Sequence, residues 1–144
     1  VAAVLAIGLV LVLLGCFRKA TPEERIEKFV QKHSKEYGST VFRDAVDGKP
    51  LVLLLYGCKV YRLEATSETV TKQEVVKPGF LLWPTGCTGQ KVWRDGEDIF
   101  AERRSLEFGA GGGNASGGSY RSRNGIDWEK WTKTRWLPVA EAQR

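Results

Sequence analysis

The chain has 144 residues, of which 42% are hydrophobic and 27% are charged, and its formal net charge at pH 7 is +5. About 127 residues follow an apolar N-terminal segment, which is enough for one domain with its own core and too few for two. With His33 as the single histidine and no motif that sets two carboxylates at a fixed distance, the composition favours a protein that is not an enzyme.

The N-terminal segment, residues 1–17, contains none of the 22 basic and 17 acidic residues of the chain. As a helix it would be roughly 25 Å long, close to the roughly 30 Å hydrocarbon thickness of a bilayer. We therefore predict a single-pass transmembrane helix over residues 1–17. Its small side chains would allow close packing against other membrane helices, and they are Ala2, Ala3, Ala6 and Gly8.

Two other interpretations of this segment remain open. One is a cleaved secretory signal, and the other is lipoprotein processing at Cys16, because the run from Leu13 to Cys16 resembles a lipobox. Basic residues after the segment, beginning with Arg18 and Lys19, favour a cytoplasmic location for the rest of the chain. A disulfide would favour the opposite side. We expect a single-pass membrane protein with a slight preference for the cytoplasmic side.

A short amphipathic helix is predicted after the anchor. Thr21-Pro22-Glu23-Glu24 has the features of a helix N-terminus: a capping threonine, a proline at the first helical position and a glutamate that can bond back to the cap. Apolar residues then recur at helical spacing, and Gly38 is typical of a helix end. We expect the apolar side of this helix to pack on the strands that follow.

Residues 39–108 are predicted to form five or six mostly antiparallel strands. Asp47-Gly48 and Asp95-Gly96 each separate two apolar runs, as in tight hairpins. The continuous apolar run from Leu51 to Leu55 is typical of a strand that is buried on both faces. Gly57 is interpreted as a bulge or bend before the following strand.

Two features of the soluble part bear on cofactors and metals. Residues 109–119 are rich in Gly and Ser and predict a loop or linker, and no lysine follows Gly117-Gly118 as a phosphate-binding loop requires. Cys58 and Cys87 lack the paired spacing of metal ligands. We therefore expect no cofactor and no metal. A disulfide between the two cysteines, worth about 3 kcal/mol, and two separate thiols remain equally open.

Aromatic and basic residues alternate in the C-terminal tail, residues 120–144. Large indole side chains are enriched at the energetic centres of protein interfaces. The candidate partner-binding residues are Trp128, Trp131, Trp136, Lys130 and Arg135. Burial of the same tryptophans in the domain core, or their contact with a membrane surface, are the alternatives. Acidic residues interrupt this basic stretch, so we expect no nucleic-acid partner.

The predicted organisation is an anchor (1–17), a helix plus β-rich domain (18–108), a Gly/Ser-rich loop or linker (109–119) and a Trp-rich, basic tail (120–144). The predicted fold class is α+β, with a transmembrane helix and one amphipathic helix packed on a small, mostly antiparallel sheet.

The predicted function is that of a non-enzymatic accessory or structural subunit in a larger membrane complex, of the energy-converting or secretion type. Its partners would be the other subunits and the lipid bilayer. The alternative is a membrane- or lipid-anchored extracytoplasmic module that binds a small ligand, a glycan or an envelope polymer through exposed aromatic residues such as Trp83 and Trp93.

Overall fold

The computed structural model of the protein describes residues 19–34, 39–77, 87–105 and 117–142. These residues form two helices and nine strands. In chain order the elements are α1 (Pro22–Ser34), β1 (Thr40–Val46), β2 (Lys49–Tyr56), β3 (Lys59–Ala65), β4 (Val70–Val76), β5 (Cys87–Asp95), β6 (Asp98–Ser105), β7 (Gly118–Ser122), β8 (Glu129–Trp131), β9 (Trp136–Pro138) and α2 (Val139–Ala142).

The strands form two antiparallel sheets in which each strand pairs with its neighbour in the chain. The first sheet has the order β1-β2-β3-β4, and the second has the order β5-β6-β7-β8-β9. The two sheets share one buried cluster, to which the first contributes Leu53 and Val60 and the second contributes Ile99 and Tyr120. The strands therefore build a two-layer sandwich with an apolar interior.

Helix α1 covers the other side of the first sheet. Val30 of the helix is buried together with Val52, Leu54 and Leu63 of the strands beneath it. The central strand β2 is consequently buried on both faces, since Leu51, Leu53 and Leu55 point between the sheets while Val52 and Leu54 point toward the helix. The unbroken apolar run from Leu51 to Leu55 in β2 predicts this arrangement.

The N-terminus of α1 is closed by the predicted capping box. The backbone N–H of Glu24 donates to the Thr21 hydroxyl at 3.2 Å, and the backbone N–H of Thr21 donates to the Glu24 carboxylate at 2.8 Å. Because Pro22 has no N–H group, three N–H groups at the helix start lack an intrahelical partner, and two of them are satisfied by side chains. The predicted stop at Gly38 lies outside the described residues.

Two of the three turn signals mark hairpins. Asp47 and Gly48 both have positive φ angles, as the tight turn between β1 and β2 requires. The turn predicted at Asp95-Gly96 is displaced by one residue, because Asp95 ends β5 and pairs with Asp98, and Gly96 and Glu97 reverse the chain. The prediction of a bulge at Gly57 is wrong, because Gly57 and Cys58 form the complete turn that reverses β2 into β3. Both residues have positive φ angles, and only Gly57 adopts this conformation freely.

The predicted α+β fold class is also wrong. The described structure is 57% strand, with α1 and the four-residue α2 as its helices. The difference lies in residues 120–144, for which the sequence predicts a tail. Their alternation of inward and outward side chains instead builds β7, β8 and β9 into the second sheet.

The membrane predictions need the same correction. Within the part of the chain that the structure describes, no helix is both long enough and apolar enough to cross a bilayer. This finding contradicts the predicted transmembrane fold and the single-pass membrane location, and with them the preference for the cytoplasmic side. The segment that motivated them, residues 1–17 with Ala2, Ala3, Ala6 and Gly8, lies outside the described residues.

Candidate functional site

The outward face of the second sheet carries a continuous line of aromatic side chains, Trp93, Phe100, Trp136 and Trp131, which we call the aromatic row. Trp93 and Phe100 are stacked with ring centroids 5.6 Å apart. Phe100 meets the edge of Trp136 at 6.2 Å, and Trp136 lies 5.3 Å from Trp131. Each contact falls in the range of favourable aromatic pairs, so the row runs across the sheet as one packed unit.

Strand pairing explains why these four rings meet. Trp93 lies opposite Phe100 in the β5–β6 pair, and Trp131 lies opposite Trp136 in the β8–β9 pair. Side chains at every second position of a strand share a face. Because Ile99, Ala101 and Tyr120 are fully buried between the sheets, their neighbours must point away from the interior.

Cations cover two of the rings. Lys91 Nζ lies 4.9 Å from the centroid of the Trp93 ring, and the Arg121 guanidinium lies 4.6 Å from that of Trp136. Arg121 also forms an ion pair with Glu129 at 2.7 Å. These cation–π contacts hold the charged groups against the aromatic row. The rings are half-buried except for Trp131, which is 41% exposed.

A shallow groove borders the aromatic row at Arg121. It has a volume of about 440 Å³ and is lined by Asp98, Arg121, Ser122, Arg123, Asn124, Asp127, Trp128, Glu129 and Pro138. An ion pair between Arg123 and Asp98 at 3.3 Å crosses its wall. The groove is open to solvent and mixed in charge, which makes it a continuation of the outer face and not an enclosed ligand pocket.

The loop beside this groove is held against the first sheet by a glycine. Gly125 has a φ angle of +72°, and a Cβ atom at this position would lie 2.7 Å from Cδ2 of Leu51. The Asn124 side chain accepts hydrogen bonds from the backbone N–H groups of Ile126 and Asp127 at 2.9 and 2.8 Å. The loop therefore has one preferred conformation, and it fixes the position of Asp127 at the groove.

Between the sheets lies a buried cation, Arg103, which is 1% exposed. Its guanidinium donates to the Cys58 carbonyl oxygen and to the Tyr120 hydroxyl, and it stacks on the Tyr120 ring at 4.5 Å. Burial lowers the pKa of Arg103, while Tyr120 and Glu74 favour the charged form. Arg103 thus ties β6 to β7 and to the β2–β3 turn.

Two further links join the sheets. Cys58 and Cys87 form a disulfide, with Cα atoms 5.4 Å apart, between the β2–β3 turn and the start of β5. At the opposite end of β5, Arg94 pairs with Asp44 of β1 and also donates to the Ala45 carbonyl at 3.2 Å. The hydrogen bond from Arg94 lowers the pKa of Asp44. The sandwich is therefore closed along β5 by covalent and ionic contacts.

The structure separates the five predicted partner-binding residues. Trp131 and Trp136 belong to the aromatic row, and Arg135 is exposed in the turn between β8 and β9. Trp128 is buried, at 5% exposure, in the core between the sheets. Lys130 packs beside the Tyr120 ring, 6.0 Å from its centroid.

Sequence reasoning did not group Trp93, Phe100 and Arg121 with the Trp131–Trp136 pair. The available signal was the two-residue alternation in Lys91–Trp93 and in Phe100–Glu102, which places those side chains on one face of a hairpin. Their proximity to Trp136 follows from sheet order alone. Trp83, named with Trp93 as a candidate ligand-binding residue, lies outside the described residues.

Three titratable residues away from the aromatic row, His33, Tyr61 and Lys59, make contacts within the fold. The His33 ring stacks on Phe29 at 4.1 Å and its Nδ1 lies 2.8 Å from the Phe29 carbonyl oxygen. Burial raises the pKa of Tyr61. Burial alone would lower the pKa of Lys59, but Tyr61 and Glu74 together raise it. Among the described residues, no three His, Cys, Asp or Glu side chains are placed to hold a metal ion.

Comparison with known proteins assigns no family to this arrangement. No family model matches the chain, and neither a curated protein nor a solved structure is significantly similar to it. The functional argument therefore rests on the geometry of the outer face.

Proposed function

We propose that the protein is a non-enzymatic subunit that binds a protein partner through the aromatic row on the outward face of its second sheet. The observation that carries this proposal is the set of four mutually packed rings that no described element covers, with arginine and lysine side chains among them. Tryptophan and arginine are the residues most enriched at the energetic centres of protein interfaces.

The geometry of the rings favours a protein partner over a glycan. A sugar ring stacks on an open aromatic face, but the faces of Trp93 and Trp136 are already occupied by Lys91 and Arg121. The rings of Phe100 and Trp136 meet at 62°, and those of Trp131 and Trp136 at 52°, so the row presents a ridge instead of a flat platform. A ridge of aromatic ring edges and cationic side chains is complementary to the irregular surface of a folded protein.

The disulfide supports a location of the protein in an oxidising compartment. Disulfides persist in secreted and periplasmic proteins and are rare where thiols are kept reduced. Cys58 is 1% exposed at the junction of the two sheets, so the bond belongs to the interior of the fold. Thiol labelling of the denatured protein, with and without prior reduction, tests this: labelling of Cys58 and Cys87 without reductant would refute it.

The partner-binding role is tested with the double variant Trp131→Ala, Trp136→Ala in the full-length protein. We expect it to leave the assembly that the wild-type protein enters in its native cells and to migrate on native gels as a free monomer. Trimming a tryptophan at the centre of an interface costs about 2 kcal/mol or more, enough to dissociate an assembly of moderate affinity.

The matched control is Ile126→Ala. Ile126 and Trp131 have the same exposed fraction, 41%, but Ile126 lies in the loop after β7 and outside the aromatic row. The control should remain in the assembly, and circular dichroism should show native strand content for both variants. A double variant that is folded and still assembled would refute the proposal.

A further inference from the structure

The charged side chains around the aromatic row are sorted by sign along the strand direction. Among the described residues, the end of the sheet near the β5–β6 turn has four carboxylates and two guanidiniums, and these are Asp95, Glu97, Asp98, Asp127, Arg123 and Arg94, of which Arg94 is paired with Asp44 of the first sheet. The described residues at the opposite end include four cations and one carboxylate, and these are Lys91, Arg104, Lys133, Arg135 and Glu102. We call these the acidic end and the basic end.

Ion pairs within the chain do not remove this separation of negative and positive charge. Arg123 is bound to Asp98 and Arg104 to Glu102, so one pair is internally neutral at each end. Within the part of the chain that the structure describes, Asp95 forms no ion pair, and Lys133 and Arg135 form none. The outer face therefore has a negative edge, a neutral aromatic centre and a positive edge.

A surface with this order of charges is complementary to a copy of itself. A two-fold axis that lies in the plane of the face and runs along the aromatic row turns the second copy over. It places the basic end of each copy on the acidic end of the other and packs each aromatic row against its counterpart. Two-fold interfaces require this kind of self-complementarity, because one patch meets itself.

We propose that the partner on the aromatic row is a second copy of this chain, in a face-to-face homodimer with the two sets of strands antiparallel. This inference rests on the proposed function, since it names the partner of the same face. A partner with a uniformly acidic surface would match the basic end but would meet repulsion at the acidic end. The second copy satisfies both ends with the same residues.

The size of the face sets the expected strength. Five strands at about 4.8 Å spacing span roughly 19 Å, and strands of three to nine residues run for roughly 10 to 30 Å. Such a face buries less than the roughly 1,200 Å² in total at which stable complexes begin, and it has the size of a weak, reversible contact. We therefore expect a reversible dimer whose charged ends are exposed to salt, so that association weakens as ionic strength rises above about 0.1 M.

The test uses two charge-reversed variants of the purified full-length protein in mild non-ionic detergent. Lys91→Glu with Arg135→Glu makes both ends negative, and Asp95→Lys with Asp127→Lys makes both ends positive. All four side chains are exposed, so the substitutions leave the core unchanged. Sedimentation velocity measures self-association of each protein, and a fluorescent label on one variant measures mixed association.

We expect the wild-type protein to dimerise, each variant alone to associate at least about tenfold more weakly, and the equimolar mixture to recover wild-type affinity to within about threefold. Recovery on mixing excludes misfolding as the cause of the losses. It also excludes association through the uncharged N-terminal segment, which is the same in all samples.

The outcomes also separate this inference from the proposed function. A wild-type protein that stays monomeric, or a mixture that associates no better than its components, would overturn the homodimer. If the Trp131→Ala, Trp136→Ala variant nevertheless leaves the native assembly, the aromatic row still binds a partner, and that partner is a different protein. If both experiments fail, the row is not an interface.

Discussion

The two sheets of this sandwich differ in what covers the apolar side chains on their outward faces. The first sheet carries Val52, Leu54 and Leu63 on its outer side, and α1 buries them beneath Val30. The second sheet carries the aromatic row on its outer side, and no described helix lies over it. Both faces carry large apolar side chains, but among the described elements a helix covers only the first.

On this difference we assign the first face to stability and propose the second for association. Aliphatic side chains under a helix are removed from water when the chain folds, and they contribute to folding in proportion to the area buried. Large rings that keep an exposed part at the surface bury that part only when a second surface covers them. We infer that the first face stabilises the protein and that the second is kept for association.

The inner faces of the sheets differ as well. In the first sheet the central strand β2 turns Leu51, Leu53 and Leu55 inward, while in the second sheet β6 turns Arg103 inward beside Tyr120. A buried guanidinium is costly to desolvate, and its contacts with Cys58 and Tyr120 offset that cost. Sheet packing therefore depends on this one polar cluster as well as on the shared apolar core.

The largest predicted effect concerns this cluster. Arg103→Ala should destabilise the protein by about 4 kcal/mol, because it leaves the Tyr120 hydroxyl and the Cys58 carbonyl buried without their donor. The control is its neighbour Arg104, whose side chain is 68% exposed. Arg104→Ala should cost less than about 0.5 kcal/mol. Chemical denaturation measures both, and equal losses would show that Arg103 does not hold the sheets together.

A second prediction compares the outer faces directly. Leu54→Ala should destabilise the fold by about 3 kcal/mol, because Leu54 is 1% exposed beneath α1 and its loss leaves a cavity. Trp131→Ala removes a larger side chain and should cost less than about 1 kcal/mol, since Trp131 is still 41% exposed. Thermal melts at protein concentrations low enough to keep the chain monomeric measure both. A greater loss for Trp131→Ala would reverse our assignment of the two faces.

The smallest predicted effect is a pH dependence of the free energy of unfolding, caused by Asp44 at the edge where the two sheets meet. The hydrogen bond from Arg94 lowers the pKa of Asp44 below its ordinary 3.8. A lowered carboxyl pKa stabilises the fold above the ordinary value, and that contribution is lost as the pH falls through the lowered one. Asp44→Asn should therefore cost up to about 1 kcal/mol at pH 7 and nothing in strong acid, since both side chains are partly solvated.

The control for this effect is Asp47→Asn, because asparagine also tolerates the positive φ angle of that turn position. Denaturation midpoints of the wild-type protein and both variants, measured from neutral to acid pH, are the readout. A difference between wild type and Asp44→Asn that stays constant across this range would contradict the proposed origin of the stabilisation.

Local signals predicted the elements that short-range chemistry controls. The capping box at Thr21 and Glu24, the Asp47-Gly48 turn and the two-sided burial of β2 all follow from residues a few positions apart. The assignment of residues 120–144 to a tail failed because each of β8 and β9 has three residues. An alternation over three residues is too short to be distinguished from an irregular segment.

The sequence by itself determined that the segment before the Gly/Ser-rich loop forms strands, where most of its hairpins turn and how α1 begins, because these depend on backbone preferences and on the spacing of apolar side chains. Only the tertiary structure decided that Trp93 and Trp136 share one face, that Arg103 lies between the sheets and that acidic and basic side chains occupy opposite ends of the aromatic row. These residues lie far apart in the chain. Their proximity results from the order in which the strands pair, which no local pattern specifies.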